Sequence, residues 1–383
     1  MKKSVVLISN DLDLHKRLED TGLFDQVTID TSISSVGVPD ILIVSDKIIH
    51  YNELIELFDS KLNHIPHVFY MISNNSTGAN KNIMQVLKVK GVKCIPPRMT
   101  ITQILERICA EVGLTDISNK NIAVFLGTDS KVGTTMVTQC IAETIAKYSK
   151  ARVALLFLNG QPSTDYIQDR DNVLGLDSIK VKVINKILSD SELIGAFIKL
   201  SDNLYALPGA KSILDVRYFS NDHIENLIQL TSKLFDVVLV DAGHKIFNGM
   251  TIGSVNSTPH KYLITTQQDS ALRNFERTCS QVFSELDIDP KDFLLIVNKF
   301  VHLPELYTSS QLANLYKTSL IGTIDFVDYG WQAEKDQKSL LNYDITSLNK
   351  QILELSKIIA SQMGVELTIT KEVKPGIFSR IFR

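Results

Sequence analysis

The stretch Ala123–Gln139, AVFLGTDSKVGTTMVTQ, decides the fold of the second part of this chain. An apolar run, Ile122–Leu126, leads into a loop of small and polar residues, and a helical pattern opens at Thr134–Met136. A strand that turns through such a loop into a helix directs backbone N–H groups and a helix N-terminus at one point, which suits a phosphate group. The loop lacks the closing GK[ST] of the usual phosphate-binding loop. Taken alone, it fits an ordinary glycine-containing turn equally well.

Strand-like and helix-like segments alternate on both sides of this loop, along nearly all of the 383 residues. That alternation is typical of parallel sheets with crossover helices. The polar run Asp116–Asn121 separates two such sets, and a chain of this length accommodates two cores. The sequence therefore predicts an α/β protein with two doubly wound parallel-sheet domains, at residues 1–115 and 120–366, followed by a tail at 367–383.

The composition argues against several classes of protein. Hydrophobic residues make up 44%, charged residues 22%, and the net charge is −3, so no nucleic-acid partner is expected. The chain has no run of about 18 apolar residues, which a membrane-spanning helix would need. The four cysteines lie far apart and show no paired spacing; they are Cys94, Cys109, Cys140 and Cys279. This pattern suits small buried residues in a reducing compartment. We therefore expect a cytoplasmic protein.

Further strand-like segments follow the loop in a fixed order. FDVVLVD (Phe235–Asp241) ends in an aspartate, and FLLIVNK (Phe293–Lys299) ends beside Asn298. Together with the loop, these segments resemble the MinD/ParA class of P-loop ATPases. Within that class the chain looks most like the CpaE/TadZ proteins of pilus assembly, which often have VGT or VGA where the Val132–Thr134 segment stands here.

The resemblance implies ATP and Mg²⁺ as ligands. Asp241 corresponds to the Walker B residue and is the expected catalytic carboxylate. The expected Mg²⁺ site consists of Thr135 as a ligand and Asp241, which would hold the ion through water. Asn298 is expected to recognise adenine, because an amide offers both a donor and an acceptor. The implied nucleotide-binding residues are Gly127, Lys131, Gly133, Thr134, Thr135 and Asn298.

Several residues depart from the class in ways that weaken its chemistry. Thr134 stands where the P-loop lysine would contact phosphate, and Asp129 stands where the class has its signature lysine. Asn159 or Phe157 replaces the switch aspartate. Lys131 is the one cation left in the loop, and either reaches the phosphates or stays in solvent. Because a lost transition-state cation costs orders of magnitude in rate, we expect weak Mg–ATP binding with slow or absent hydrolysis.

The first domain resembles a response-regulator receiver that has lost its chemistry. The segment PDILIVSD places Ser45 at the phosphoryl-acceptor position, with Asp46 one residue beyond, and the lysine position falls near Pro96. A hydroxyl substitutes poorly for a carboxylate nucleophile next to a metal ion. We predict a docking or dimerisation module; the alternative is that Asp46 accepts phosphate from a shifted register.

The C-terminal segment KEVKPGIFSRIFR combines apolar and basic residues. As a helix it would place apolar side chains opposite arginines, which suits an anionic membrane surface. The alternative is a frayed terminus or a segment packed on its own domain. The residues expected to contact a membrane are Ile377, Phe378, Arg380, Ile381, Phe382 and Arg383.

The leading hypothesis is a homodimeric scaffold that localises pilus or secretion machinery, with membrane contact through the tail. A second hypothesis is an active MinD/ParA-type ATPase that drives spatial positioning. A third is a ParA-like partition protein that binds DNA, for which the sequence shows no basic patch.

Overall fold

The computed structural model of this chain describes residues 2–33, 37–74, 77–114, 120–161 and 175–368. They form two separate sheets, one of five strands and one of eight, with helices between most successive strands. The predicted α/β class with two parallel-sheet units is confirmed. The C-terminal tail from residue 369 onward, including all six residues expected to contact a membrane, lies outside the described residues.

The first sheet is wholly parallel and has the strand order β2-β1-β3-β4-β5. That order is the flavodoxin-like form of the doubly wound fold. The strands are β1 (Lys3–Ile8), β2 (Phe24–Asp30), β3 (Ile41–Ser45), β4 (His67–Met71) and β5 (Lys93–Ile95). The helices are α1 (Leu12–Asp20), α2 (Tyr51–Leu57, continued by a π-helical turn at Phe58–Leu62), α3 (Thr77–Val89) and α4 (Ile101–Glu111).

The second sheet has the order β13-β12-β11-β6-β10-β7-β9-β8. Its strands are β6 (Ile122–Gly127), β7 (Val153–Phe157), β8 (Ile198–Lys199), β9 (Leu204–Leu207), β10 (Val237–Asp241), β11 (Lys261–Thr265), β12 (Phe293–Phe300) and β13 (Ser319–Asp325). Seven strands run parallel, whereas the two-residue edge strand β8 pairs antiparallel with β9 and was not predicted.

The helices of the second unit cover both faces of its sheet. Every residue of β6, β7 and β10 is buried, because apolar clusters pack against the sheet from above and below. The helices are α5 (Thr134–Tyr148), α6 (Gly175–Ile184), α7 (Asp190–Ala196), α8 (Asn221–Leu234), α9 (Gly249–Asn256), α10 (Asp269–Thr278, continued by a π-helical turn at Cys279–Phe283), α11 (Ser309–Tyr316), α12 (Gly330–Lys335) and α13 (Thr346–Gln362). None of the helices in the described ranges is long and apolar enough to cross a membrane.

The two units touch through α4 and the turn before it. Thr102 Oγ1 donates to Asp292 Oδ1 at 2.5 Å, and Gln103 Nε2 donates to the Pro259 carbonyl at 3.3 Å. The Arg98 guanidinium donates to the carbonyl of Ile321. Pro259 and Asp292 immediately precede β11 and β12, so the first unit is attached at the amino-terminal edge of the second sheet.

His260 is buried at this edge, at the start of β11. Burial, with a smaller contribution from the nearby charge of Arg107, lowers the pKa of His260 to about 4. The ordinary pKa of a histidine is about 6.5, so the unfolded chain takes up this proton at a higher pH than the folded chain does. The stabilising effect of neutral His260 is therefore complete above pH 6.5 and is lost progressively as the pH falls toward 4.

We predict that this single group makes folding pH-dependent. Between pH 7 and pH 5 it should remove about 2 kcal/mol from the free energy of unfolding, as urea titrations at the two pH values would measure. Between pH 7 and pH 5, the free energy of unfolding of His260→Gln should fall by about 2 kcal/mol less than that of the wild type, whatever the stability of the variant at pH 7. The control is His64→Gln, a change at an exposed histidine, which should keep the wild-type difference. Equal losses in His260→Gln and the wild type would contradict the assignment.

Candidate functional site

The loop between β6 and α5 lies at the carboxyl edge of the second sheet, where ligands bind in open α/β folds. Gly133 has a left-handed backbone (φ 93°) and occupies the N-cap position of α5. A Cβ atom there would lie 2.4 Å from the side-chain nitrogen of Asn298, so only glycine fits. The N-terminus of α5 carries no capping side chain, which leaves its N–H groups directed at the space above the loop.

Thr134 occupies the lysine position without replacing its charge. Its side chain is buried, and a Cβ atom on Gly127 would lie only 2.4 Å from its hydroxyl oxygen. The close approach places the Thr134 hydroxyl beside Gly127, at the end of β6. At the position where the class has the P-loop lysine, a small uncharged hydroxyl therefore fills the space at the base of the loop.

Asp241 ends the central strand β10 and is fully buried. Its Oδ2 accepts the Thr135 hydroxyl at 2.6 Å and the Asn159 amide at 2.8 Å, and its Oδ1 accepts the Gly243 N–H at 3.1 Å. Burial raises the pKa of Asp241, and these three hydrogen bonds oppose that rise. The structure thus brings together the catalytic and metal-binding residues that the sequence analysis selected.

The structure also decides between the two candidates for the switch position. Phe157 is buried within β7, whereas Asn159 lies past the end of that strand and contacts Asp241. Asn159 Oδ1 accepts the backbone N–H of Gln161 at 2.9 Å, which fixes the orientation of the amide. The residue facing the Walker B carboxylate is therefore a neutral hydrogen-bond donor and cannot act as a base for water.

Asn298 supports the loop from below. Its Nδ2 donates to the Val132 carbonyl at 2.8 Å, and the residue is only 1% exposed. Contact with adenine stays a prediction, and it would require this amide to leave Val132.

Lys299 is the residue near the loop that sequence reasoning missed. Its ammonium group donates to the Lys131 carbonyl at 2.8 Å, and partial burial lowers its pKa. Lys131 and Lys299 both have left-handed backbones, with φ of 60° and 53°, which non-glycine residues rarely adopt. The Lys131 side chain is exposed, so the loop holds its cation at the rim. The only sequence signal for Lys299 was its position directly after the strand-end asparagine.

The oxygen atoms of Thr135 and Asp241 are of the type that Mg²⁺ prefers. A carboxylate offers about four acceptor positions, however, and protein donors already fill three of them at Asp241. Within the described ranges, no group of three or more His, Cys, Asp or Glu side chains is placed to bind a metal. The donor set as arranged does not fit an ion bound directly to Asp241.

Solved structures with a similar fold share little sequence with this chain. A ParA family ATPase from Chlorobium tepidum has a TM-score of 0.54 and 16% identity, covering 62% of this chain and 98% of its own. The septum site-determining protein MinD of Pyrococcus horikoshii, complexed with Mg-ADP, has a TM-score of 0.53 and 14% identity, covering 64% and 97%. A McdA variant from Cyanothece in complex with ATP has a TM-score of 0.52 and 11% identity, covering 66% and 100%.

These similarities establish a class of fold. The chain contains an α/β unit of the kind found in MinD/ParA P-loop ATPases. No family model matches the sequence, and no curated protein is similar to it at a significant level. The CpaE/TadZ likeness and the receiver likeness remain proposals.

The residues around the predicted acceptor position of the first sheet make contacts within the protein. Ser45 ends β3 and is buried, and both carboxylate oxygens of Asp46 are engaged by Ser73, at 2.7 Å from its N–H and 2.6 Å from its hydroxyl. Pro96 is also buried, and the next cation, Arg98, is directed at the second unit. Asp46 thus holds the end of β3 to the loop after β4.

We therefore predict that acetyl phosphate leaves the intact mass of the protein unchanged. A stable adduct of about +80 Da, one phosphoryl group, would contradict the assignment and point to Asp46 as acceptor. Asp46→Asn serves as the control, because an adduct that persists in this variant must lie elsewhere on the chain.

Proposed function

We propose that this protein is a nucleotide-binding scaffold that localises a pilus- or secretion-assembly machine, with weak ATP binding and slow or absent hydrolysis. The observation that carries the proposal is the combination of an intact backbone cradle with altered charged groups. Gly133, Thr135 and the N-terminus of α5 keep the geometry that suits phosphate. Thr134 and Asn159 stand at positions where the class has charged residues.

Backbone geometry and charge affect the two steps differently. Ground-state binding of phosphate draws on N–H groups and the helix N-terminus, which persist here. Hydrolysis needs cations and a positioned water that stabilise the transition state, and each such contact is worth orders of magnitude in rate. Weak binding without efficient turnover is therefore the expected behaviour, and it suits a protein whose role is placement.

The particular machine is proposed from sequence resemblance. CpaE/TadZ proteins pair a receiver-like domain with a MinD-like domain, and the two sheets found here are compatible with that arrangement. Under this proposal the protein acts as a cytoplasmic homodimer whose partners are pilus or secretion proteins, and its tail contacts the inner face of the membrane.

An active ATPase is the second candidate, and one observation favours it. Lys299 and Lys131 place two ammonium groups near the rim of the loop. Either could supply the missing positive charge once phosphate is bound. DNA partition has no comparable support in the described residues.

Calorimetry with ATP tests the proposal directly. We expect saturable binding at or below about 1 mM, which corresponds to roughly −4 kcal/mol. Asp241→Ala should lose this binding, because it removes the group that orients Thr135. No heat of binding at millimolar ATP would contradict a nucleotide-binding role and leave the fold as a scaffold only.

A lysine introduced at position 134 gives a second and more specific test of nucleotide binding. Thr134→Lys should tighten ATP binding by about 10–100-fold, because a charge-assisted hydrogen bond contributes about 1.5–3 kcal/mol. Gln229→Lys makes the same change of charge at an exposed position of α8 and should leave the affinity unchanged. An affinity equal in Thr134→Lys and the wild type would show that this loop does not bind phosphate as proposed.

Membrane attachment through the tail is tested by co-sedimentation with anionic liposomes. Deletion of residues 371–383 should abolish pelleting, because each buried apolar side chain contributes at most about 1.5–3 kcal/mol and two copies are needed for firm attachment. Phe378→Ser with Phe382→Ser should reproduce the loss, whereas Lys371→Gln should pellet nearly as well as the full chain. Unchanged pelleting after the deletion would contradict this role.

A further inference from the structure

Asn159 is held in one position by contacts on both sides. Its Oδ1 accepts the Gln161 N–H at 2.9 Å and its Nδ2 donates to Asp241 at 2.8 Å. Gly243, in the loop after β10, has a left-handed backbone (φ 67°), and a Cβ atom there would lie 2.8 Å from Asn159 Cβ. The loops after β7 and β10 are therefore in close contact at Asn159 and Gly243.

The Asn159 amide is one of the donors that compensate the buried negative charge of Asp241. Asp241 is fully buried, and a carboxylate removed from water must be compensated by donors or cations. The described hydrogen-bond donors to its two oxygens are the Thr135 hydroxyl, the Asn159 amide and the Gly243 N–H, and all three are uncharged. Thr135 and Asn159 together use both lone pairs of Oδ2.

The same amide is unfavourable for a metal ion. Mg²⁺ requires oxygen ligands in a near-octahedral shell, and the N–H groups of an amide present the positive end of a dipole. At the position that faces both Thr135 and Asp241, the chain thus supplies a donor where an ion or its water would otherwise bind.

We propose that Asn159 takes the place of a divalent cation at this site, so that Asp241 is satisfied by the protein and the nucleotide is bound without Mg²⁺. The metal part of this inference concerns the protein alone, and the nucleotide part rests on the proposed function. Both depart from the expectation that Thr135 and Asp241 hold Mg²⁺.

Thermal unfolding without nucleotide tests the metal part. MgCl2, compared with NaCl at equal ionic strength, should change the Tm of the wild type by less than about 1 °C, because no site is open. Asn159→Asp places a second carboxylate against Asp241. Its Tm should fall by several degrees in NaCl and rise by about 4 °C or more in MgCl2, as the ion neutralises the pair.

Asn121→Asp is the matched control. Asn121 Nδ2 also donates two hydrogen bonds, to the carbonyls of Ser232 and Phe235 at 2.9 Å each, but it precedes β6 at the opposite edge of the sheet. This variant should lose stability equally in both salts.

If Asn159→Asp does not fold, Asn159→Ala replaces it, because that change frees a lone pair of Asp241 without adding charge. Mg²⁺ should stabilise Asn159→Ala as well, by a smaller shift.

Three results would overturn the metal part of the inference: Mg²⁺ raising the Tm of the wild type, Mg²⁺ having no effect on folded Asn159 variants, or Mg²⁺ stabilising Asn121→Asp equally.

For the nucleotide part, wild-type ATP affinity should agree within about threefold between EDTA and MgCl2, and loss of binding in EDTA would refute it. Absence of ATP binding in both buffers would refute the proposed function and the nucleotide part, while the Tm measurements still decide the metal part.

Discussion

The buried carboxylate of Asp241 is the constraint on which the functional edge of this protein depends. It stands at the end of the central strand β10, and it pairs in register with Phe125 on one side and Phe157 on the other. A charged group in that position requires hydrogen-bond donors from both flanking segments. Thr135 supplies one from the start of α5 and Asn159 another from the loop after β7. The P-loop, the helix behind it and the neighbouring strand are thereby fixed relative to one another.

This constraint gives residues of the predicted phosphate-binding loop a task in the fold. Gly133 leaves room for the Asn298 side chain, and Thr135 compensates Asp241. Substituting either would leave a steric clash or an unpaired buried group. Thr134 makes a contact of its own, because its buried side chain lies against Gly127 at the end of β6. The geometry of the loop is therefore fixed in part by contacts within the protein.

Much of the fold could be predicted from the sequence because its strands are apolar runs bounded by polar turns. The apolar run Ile122–Leu126 forms β6, which extends only one residue further, to Gly127. The two-residue strand β8 could not be, since its pairing with β9 depends on a tertiary contact and not on a periodic pattern. The strand-like segment Phe235–Asp241 is shorter in the structure, where β10 begins at Val237 and ends at Asp241.

The site was predictable in its residue types and less so in its contacts. Gly133, Thr135 and Asp241 were selected from their order along the chain, and the structure brings them together. The orientation of Asn298 toward Val132 and the approach of Lys299 to Lys131 depend on how the carboxyl end of β12 packs against the loop after β6, which no local motif encodes. Sequence spacing therefore identifies which side chains reach the carboxyl edge of the second sheet, whereas three-dimensional packing sets their hydrogen-bond partners.

The position of the first unit limits how it can influence the cradle. It contacts the second sheet through Thr102, Gln103 and Arg98 at the amino-terminal edge, and the loop lies at the carboxyl edge. Between the two edges run strands such as β11, whose interior is buried and tightly packed, and such cores do not deform continuously. A partner that binds the first unit would therefore leave the geometry around Asp241 intact unless it displaced a whole strand or helix. The arrangement thus favours surfaces on the two units that act independently of one another.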